Sequence, residues 1–120
     1  MNFCWSTIYV KNMEESLHFY KEIVGLKENK RFTAGPGVEI AFLGEEATQI
    51  ELIYDPKKSE LHFGSDVSWG FQTDSLDRLI KSLKEKGVSV QEGPIQPNPH
   101  TRFMFVQDPN GMKIQFVEHL

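Results

Sequence analysis

Two kinds of hydrophobic spacing follow one another along the chain. β-Branched and aromatic residues crowd the stretch FCWSTIYV at residues 3–10, which predicts a β-strand. A helix is predicted next, between the favourable N-cap Asn12 and the favourable C-terminal residue Gly25. The apolar residues of this helix recur at helical spacing and are Met13, Leu17, Tyr20 and Val24. The stretches KENKRFTA, VEIAFL and TQIELIY have strand character and complete a β-α-β-β-β module.

The second half of the chain repeats this order. SWGFQT predicts a strand, Asp74 predicts the N-cap of a helix, and Gly87 predicts the end of that helix. Both residues lie 62 positions after their counterparts in the first half. VSVQEG, RFMFVQ and KIQFVEH supply three further strands. The repeat predicts an α+β fold in one domain over residues 1–120, with a first module at about 1–56, a linker at about 57–66 and a second module at about 67–120.

Each predicted strand has one apolar side, which can pack under the amphipathic helices, and one mixed side. The closing run VQDPNGMKIQFVEHL shows this most clearly, with Gln115 opposite an apolar set. The mixed sides carry Trp5, Tyr9, Glu51, Ser68, Gln72 and Gln115. Such a side is either the solvated face of a one-sided sheet or a concave surface that binds a small molecule. Large aromatics at positions 5 and 9 count against a fully solvated face.

Composition narrows the classes of partner. Hydrophobic residues at 39% and charged residues at 25% are ordinary for a soluble globular protein. A net charge of −4 without a basic cluster argues against nucleic acid and anionic membranes as partners. No apolar run has the length of a membrane span, and no signal peptide opens the chain. The single cysteine, Cys4, sits in a predicted strand and fits a reducing compartment, so we expect a cytoplasmic protein.

Two stretches carry a resemblance to a known family. NMEESLHFYKEIVGLKE is similar to the opening helix, and FMFVQDPNGMKIQFVE to the closing hairpin, of the vicinal oxygen chelate superfamily, which includes glyoxalases, bleomycin resistance proteins and extradiol dioxygenases. The chain resembles a small, single-domain, bacterial-type member. The resemblance implies two βαβββ modules that form a cup-shaped mixed sheet, with helices outside and a ligand inside. It also implies a homodimer.

The resemblance also indicates where a metal would bind. The ligand positions of the family's metal enzymes correspond here to Trp5, Glu51, Ser68 and Gln115. Only Glu51 is a usual ligand, and a catalytic zinc site generally needs three. Indole cannot coordinate a metal, and neutral hydroxyl and amide oxygens are weak ligands for Zn²⁺ or Ni²⁺. We therefore expect no metal and no other cofactor at the standard site, although a divalent metal bound in another way stays open.

Three functions remain open. The first is metal-independent binding of a small organic molecule, with Trp5 and Tyr9 for stacking and hydrogen bonds from Glu51, Ser68, Gln72 and Gln115. The second is a divergent lyase or isomerase similar to lactoylglutathione lyase, with Glu51 as general base. The third is a non-catalytic dimeric interaction domain that buries its aromatic residues at the interface. A loop with His100 and Arg102 is either an exposed polar segment or a contribution to the rim that suits an anionic group.

Overall fold

The computed structural model describes all 120 residues, Met1–Leu120. The chain divides into two compact units, Met1–Phe63 and Gly64–Leu120. Each unit contains one strand, one helix and three further strands in that order, so the predicted α+β class and the twofold β-α-β-β-β organisation are confirmed. Each unit has its own open four-stranded sheet. None of the helices has the length and hydropathy required to cross a bilayer.

The first unit forms a mixed sheet with strand order β1-β4-β3-β2. Its elements are β1 (Trp5–Tyr9), α1 (Met13–His18), β2 (Glu28–Gly35), β3 (Val38–Leu43) and β4 (Gln49–Tyr54). The first and last strands pair in parallel, whereas the other pairs are antiparallel. The parallel pair requires a long crossover, which the helix and the β2–β3 hairpin provide.

The second unit repeats this topology with strand order β5-β8-β7-β6. Its elements are β5 (Trp69–Gln72), α2 (Leu76–Glu85), β6 (Glu92–Asn98), β7 (Thr101–Gln107) and β8 (Lys113–His119). Again the first and last strands pair in parallel. The last two strands are joined by a turn at residues 108–111, in which the Gly111 amide donates to the Asp108 carbonyl at 3.1 Å. Gly111 has a φ of 94°, a value that favours glycine at the end of a turn.

The apolar side of each sheet forms the core. Ile8 and Leu52 are buried in the first unit, and Ile114 and Phe116 are buried in the second. The helices cover this side with Leu17 from α1 and with further buried leucines from α2. The predicted alternation is confirmed, since these strand residues alternate with exposed or half-buried neighbours. Cys4 departs from expectation: it precedes β1 and is exposed, so it does not act as a core residue.

The first helix starts as predicted and then changes type. The Asn12 side chain accepts a hydrogen bond from the Glu15 amide at 2.9 Å, which satisfies one of the free donors of the first turn. After His18 the chain continues as a π-helical segment, Phe19–Ile23. Phe19 and Tyr20 of this segment are both buried, and their rings meet edge to face with centroids 5.0 Å apart.

The predicted N-cap of the second helix is wrong by one residue. The hydroxyl of Ser75, and not the carboxylate of Asp74, accepts the Arg78 amide at 3.2 Å. Leu76 is completely buried and occupies the first helical position. The residue before it, Ser75, has the extended backbone that a cap requires.

The predicted strand VSVQEG at residues 88–93 is also wrong for most of its length. The chain leaves α2 through Gly87, whose φ is 73°, and the Val88 amide then donates to the Leu83 carbonyl at 2.9 Å. This bond belongs to the helix C-terminus and not to a sheet. Pairing with β7 starts only where the Gln91 amide meets the Phe105 carbonyl at 2.8 Å. The strand β6 follows and runs along the edge of the sheet, where its two prolines are tolerated.

Arg102 lies on the helix side of its sheet, which contradicts the suggestion that it contributes to a ligand-binding rim. Its guanidinium is 3.2 Å from Asp77 at the start of α2 and 3.7 Å from the mostly buried carboxylate of Glu118. The hydrogen bond with Asp77 raises the pKa of Arg102. Arg102 therefore ties the helix to the sheet. The neighbouring His100 is exposed, in agreement with a polar loop.

The corrected cap can be tested directly. Substitution Ser75→Ala should lower the free energy of unfolding by about 1 kcal/mol, since it removes the acceptor for a helix N-terminal amide. Asp74→Ala removes only a charge near the positive end of the helix, so we expect a loss of about 0.3 kcal/mol. Urea denaturation of the two variants and the unmodified chain measures both values. An equal or larger loss for Asp74→Ala would show that Asp74 is the cap.

Candidate functional site

The mixed face of the first unit is built around one hydrogen bond. The parallel register of β1 and β4 places Thr7 opposite Glu51. The Thr7 hydroxyl donates to Glu51 Oε1 at 2.6 Å, a short distance of the kind seen when the acceptor is charged. Glu51 is half-buried, and its second oxygen, Oε2, remains able to accept. The pair is thus an oriented carboxylate in the middle of a sheet.

Aromatic side chains lie on the same face as this carboxylate. Phe42 of β3 is the cross-strand partner of Glu51 and lies on the same face. Its ring meets the Trp5 ring edge to face, with centroids 5.3 Å apart, and stacks with Phe32 at 6.4 Å. Trp5 is 48% exposed and Phe32 is 42% exposed, so a large aromatic surface faces outward beside Glu51. Such a combination of apolar walls and a few directed polar groups is typical of small-molecule sites.

Two lysines lie over the aromatic rings of this face. Lys30 Nζ is 4.8 Å from the Phe42 centroid, and Lys58 Nζ is 4.8 Å from the Tyr9 centroid. Tyr9 is 37% exposed and lies on the same side of β1 as Trp5. Both ammonium groups are held by cation–π attraction.

The second unit has the same frame with different side chains. Gly70 of β5 is the cross-strand partner of Gln115 of β8, and Phe105 pairs with Gln115 from the other side. A Cβ atom on Gly70 would lie 3.4 Å from Gln115 Oε1, so the glycine leaves room for the amide. Gln72 is exposed on the same side of β5, and Ser68 is exposed just before that strand begins.

Sequence reasoning selected six residues and missed several neighbours. In the first unit the structure brings Trp5, Tyr9 and Glu51 onto one face, and in the second it brings Gln72 and Gln115 onto one face, with Ser68 next to it. The missed residues on these two faces are Thr7, Lys30, Phe32, Phe42, Phe105 and Lys113. Alternation could have identified the two on β7 and β8. The bulges in β2 hide the periodicity there.

The residues at the four metal positions do not fit a metal. Trp5 offers only an N–H donor, and Glu51 already accepts from Thr7. Ser68 and Gln115 offer neutral oxygens, which bind Zn²⁺ or Ni²⁺ weakly. No group of three or more His, Cys, Asp or Glu side chains comes together in a way that could hold a metal ion. The donor chemistry therefore supports recognition by hydrogen bonds and aromatic contact.

The chain is similar to known proteins over nearly its whole length. The Glyoxalase/Bleomycin resistance protein/Dioxygenase superfamily profile matches residues 3–116. The lactoylglutathione lyase of Haemophilus influenzae is 26% identical, covering 99% of this chain and 93% of that protein. The lactoylglutathione lyase of Neisseria meningitidis is 27% identical, with coverage of 98% and 91%.

Solved structures agree with this similarity. Glyoxalase I from Zea mays (an E144Q mutant) superimposes with a TM-score of 0.83 at 22% identity, covering 99% of this chain and 48% of that one. TnmS3, an antibiotic binding protein from Streptomyces, superimposes with a TM-score of 0.76 at 22% identity, with coverage of 100% and 97%. These two matches show a shared fold. Because the profile covers almost all of the sequence, the chain belongs to the Glyoxalase/Bleomycin resistance protein/Dioxygenase superfamily.

Proposed function

We propose that this protein binds a small organic molecule on the mixed face of its first sheet, without the standard metal site of the superfamily. The observation that carries the proposal is the Glu51 carboxylate, which Thr7 orients through a 2.6 Å hydrogen bond beside an exposed indole. A half-buried carboxylate without a cationic partner favours a ligand that supplies a positive charge or hydrogen-bond donors. No ion pair of the chain involves Glu51.

The other residues have complementary roles in this proposal. On the face of the first unit, Trp5 and Tyr9 supply surface on which a flat ligand stacks. On the face of the second unit, Ser68, Gln72 and Gln115 offer neutral hydrogen-bonding groups. Lys58 covers part of the Tyr9 ring, so the indole of Trp5, which is 48% exposed, offers the larger stacking surface. The homodimer, the cytoplasmic location and the absence of nucleic-acid partners remain predictions from the sequence.

The ligand preference can be tested with three probes of similar shape. We expect benzamidine, a planar cation with N–H donors, to bind more tightly than neutral benzamide and anionic benzoate. Glu51→Gln should weaken benzamidine about tenfold or more, since a hydrogen bond to a charged group contributes about 1.5–3 kcal/mol. Thr7→Val should weaken it less, because the carboxylate stays while its orientation is lost. Tryptophan fluorescence titrations measure the dissociation constant of each probe for the unmodified chain and for the two variants.

Two single-tryptophan variants locate the response. Trp69→Phe retains the indole at position 5 and should keep the fluorescence change, whereas Trp5→Phe should lose most of it. A change that persists in Trp5→Phe and vanishes in Trp69→Phe would contradict the placement. Equal affinity for the three probes, unaffected by Glu51→Gln, would contradict the role of the carboxylate.

A second candidate function is supported by the two relatives described above, which are named lactoylglutathione lyase and align over more than 90% of both chains. In a lyase or isomerase of this type Glu51 would be the general base that removes a proton from a carbon acid. The Thr7 bond to Oε1 leaves Oε2 to take that proton. What counts against the standard mechanism is the lack of suitable ligands at positions 5, 68 and 115.

Turnover and metal content decide between the two functions. We expect purified, dialysed protein to contain no stoichiometric Zn²⁺, Ni²⁺ or Fe²⁺ by elemental analysis. We also expect no turnover of the hemithioacetal of methylglyoxal and glutathione. Glu51→Gln serves as the matched control, because it keeps the shape of the side chain and removes the base. A bound metal or a turnover that this variant abolishes would establish the lyase instead.

A further inference from the structure

A second candidate site lies within the second unit, in a cavity of about 310 Å³ where β7 turns into β8. Its size is at the lower end of the range for small-molecule pockets, about 300–1,000 Å³. The cavity is lined by residues that could contact a ligand: Glu92, Phe105, Gln107 and Lys113. The loop residue Ser65 also lines it. The cavity opens on the mixed face of the second unit, which also carries Gln115, the cross-strand partner of Phe105. Neither Trp5 nor Glu51 takes part, so binding here can be tested separately from binding at the Glu51 carboxylate.

Two residues of opposite charge lie on the two strands that neighbour Phe105. Glu92 of β6 is the cross-strand partner of Phe105, so both side chains project from the same side of the sheet. Lys113 projects from that side as well, since it pairs with Gln107 two residues further along β7. Its Nζ lies 4.3 Å from the Phe105 centroid. Glu92 on β6 and Lys113 on β8 are thus on the two strands that pair with β7, the strand of Phe105.

Neither charge is neutralised within the chain. No ion pair involves Lys113 or Glu92, whereas Arg102 of the same unit is paired with Asp77 and Glu118. The cation–π contact holds the Lys113 ammonium group over the Phe105 ring. A ligand that carries both charges can therefore meet both partners at once, while its apolar part packs against the part of the ring that Lys113 does not cover.

We propose that this cavity binds a small zwitterion with an apolar or aromatic side group, of the size of an amino acid. The carboxylate of the ligand pairs with Lys113, its ammonium group pairs with Glu92, and its side group lies against Phe105. The amide of Gln107 and the hydroxyl of Ser65 are available for further hydrogen bonds. An anion alone meets repulsion from Glu92, and a cation alone meets repulsion from Lys113, so the site selects for the pair of charges.

Three probes that share a phenyl group separate the contributions of the two ligand charges. L-phenylalanine carries both charges, 3-phenylpropionate carries only the negative one, and phenethylamine carries only the positive one. We expect ¹H–¹⁵N NMR titration of the full chain to show L-phenylalanine binding at least tenfold more tightly than either of the others. The resonances that shift should be those of residues around 92, 105 and 113. Lys113→Met and Glu92→Gln should each weaken L-phenylalanine about tenfold, since each removes one charge-assisted contact.

Matched variants keep this test interpretable. Lys81→Met removes an exposed lysine from α2 and should leave binding unchanged, while Lys113→Arg keeps the charge and should retain most of it. Trp5→Phe and Glu51→Gln should have no effect here, so failure of this proposal and failure of the proposed function are distinguishable. Equal binding of the three probes would overturn the zwitterion assignment. Shifts that map elsewhere, or a Lys113→Met variant that folds and binds normally, would overturn the site.

Discussion

The parallel pairing of the first and last strand in each unit is the constraint on which the rest of the structure depends. Thr7 and Glu51 are separated by 44 positions, yet the register of β1 with β4 places them opposite each other at hydrogen-bond distance. The same pairing in the second unit places Gly70 beside Gln115. A parallel pair needs a crossover connection, and in each unit the helix and the following hairpin form this connection between the first and the last strand.

The register of these strands also couples stability to the candidate site. Side chains of a strand alternate between faces, so a slip of one residue would move Glu51 to the helix side and Leu52 to the mixed side. Leu52 is completely buried, and exchanging it for a carboxylate would place an unpaired charge in the core. Burial of Leu52 on the helix side therefore fixes the register that keeps Glu51 on the mixed side. The position of the candidate face is thus fixed by the burial of the opposite side of the sheet.

Much of this arrangement was predictable from the sequence, and the errors have physical causes. Alternation identified which residues of β1, β4 and β8 share a face, since period-two patterns survive wherever one side is buried. It failed at VSVQEG, because Val88 takes part in the helix ending through a backbone bond that no side-chain pattern reveals. The cap at Ser75 and the pairing of Arg102 depend on tertiary position. Thr7 was missed because a threonine in a strand is unremarkable until its cross-strand partner is known.

The two units show that the fold of the superfamily fixes the positions of certain side chains on the sheet but does not fix their chemistry. In both, a residue of the last strand lies between a first-strand residue and a phenylalanine, Phe42 in one unit and Phe105 in the other. The first unit fills this frame with a carboxylate and a hydroxyl, whereas the second fills it with an amide and a glycine. A charged acceptor and a neutral amide select different ligand groups. The frame is a property of the fold, while the chemistry resides in a few side chains that the frame leaves free to vary.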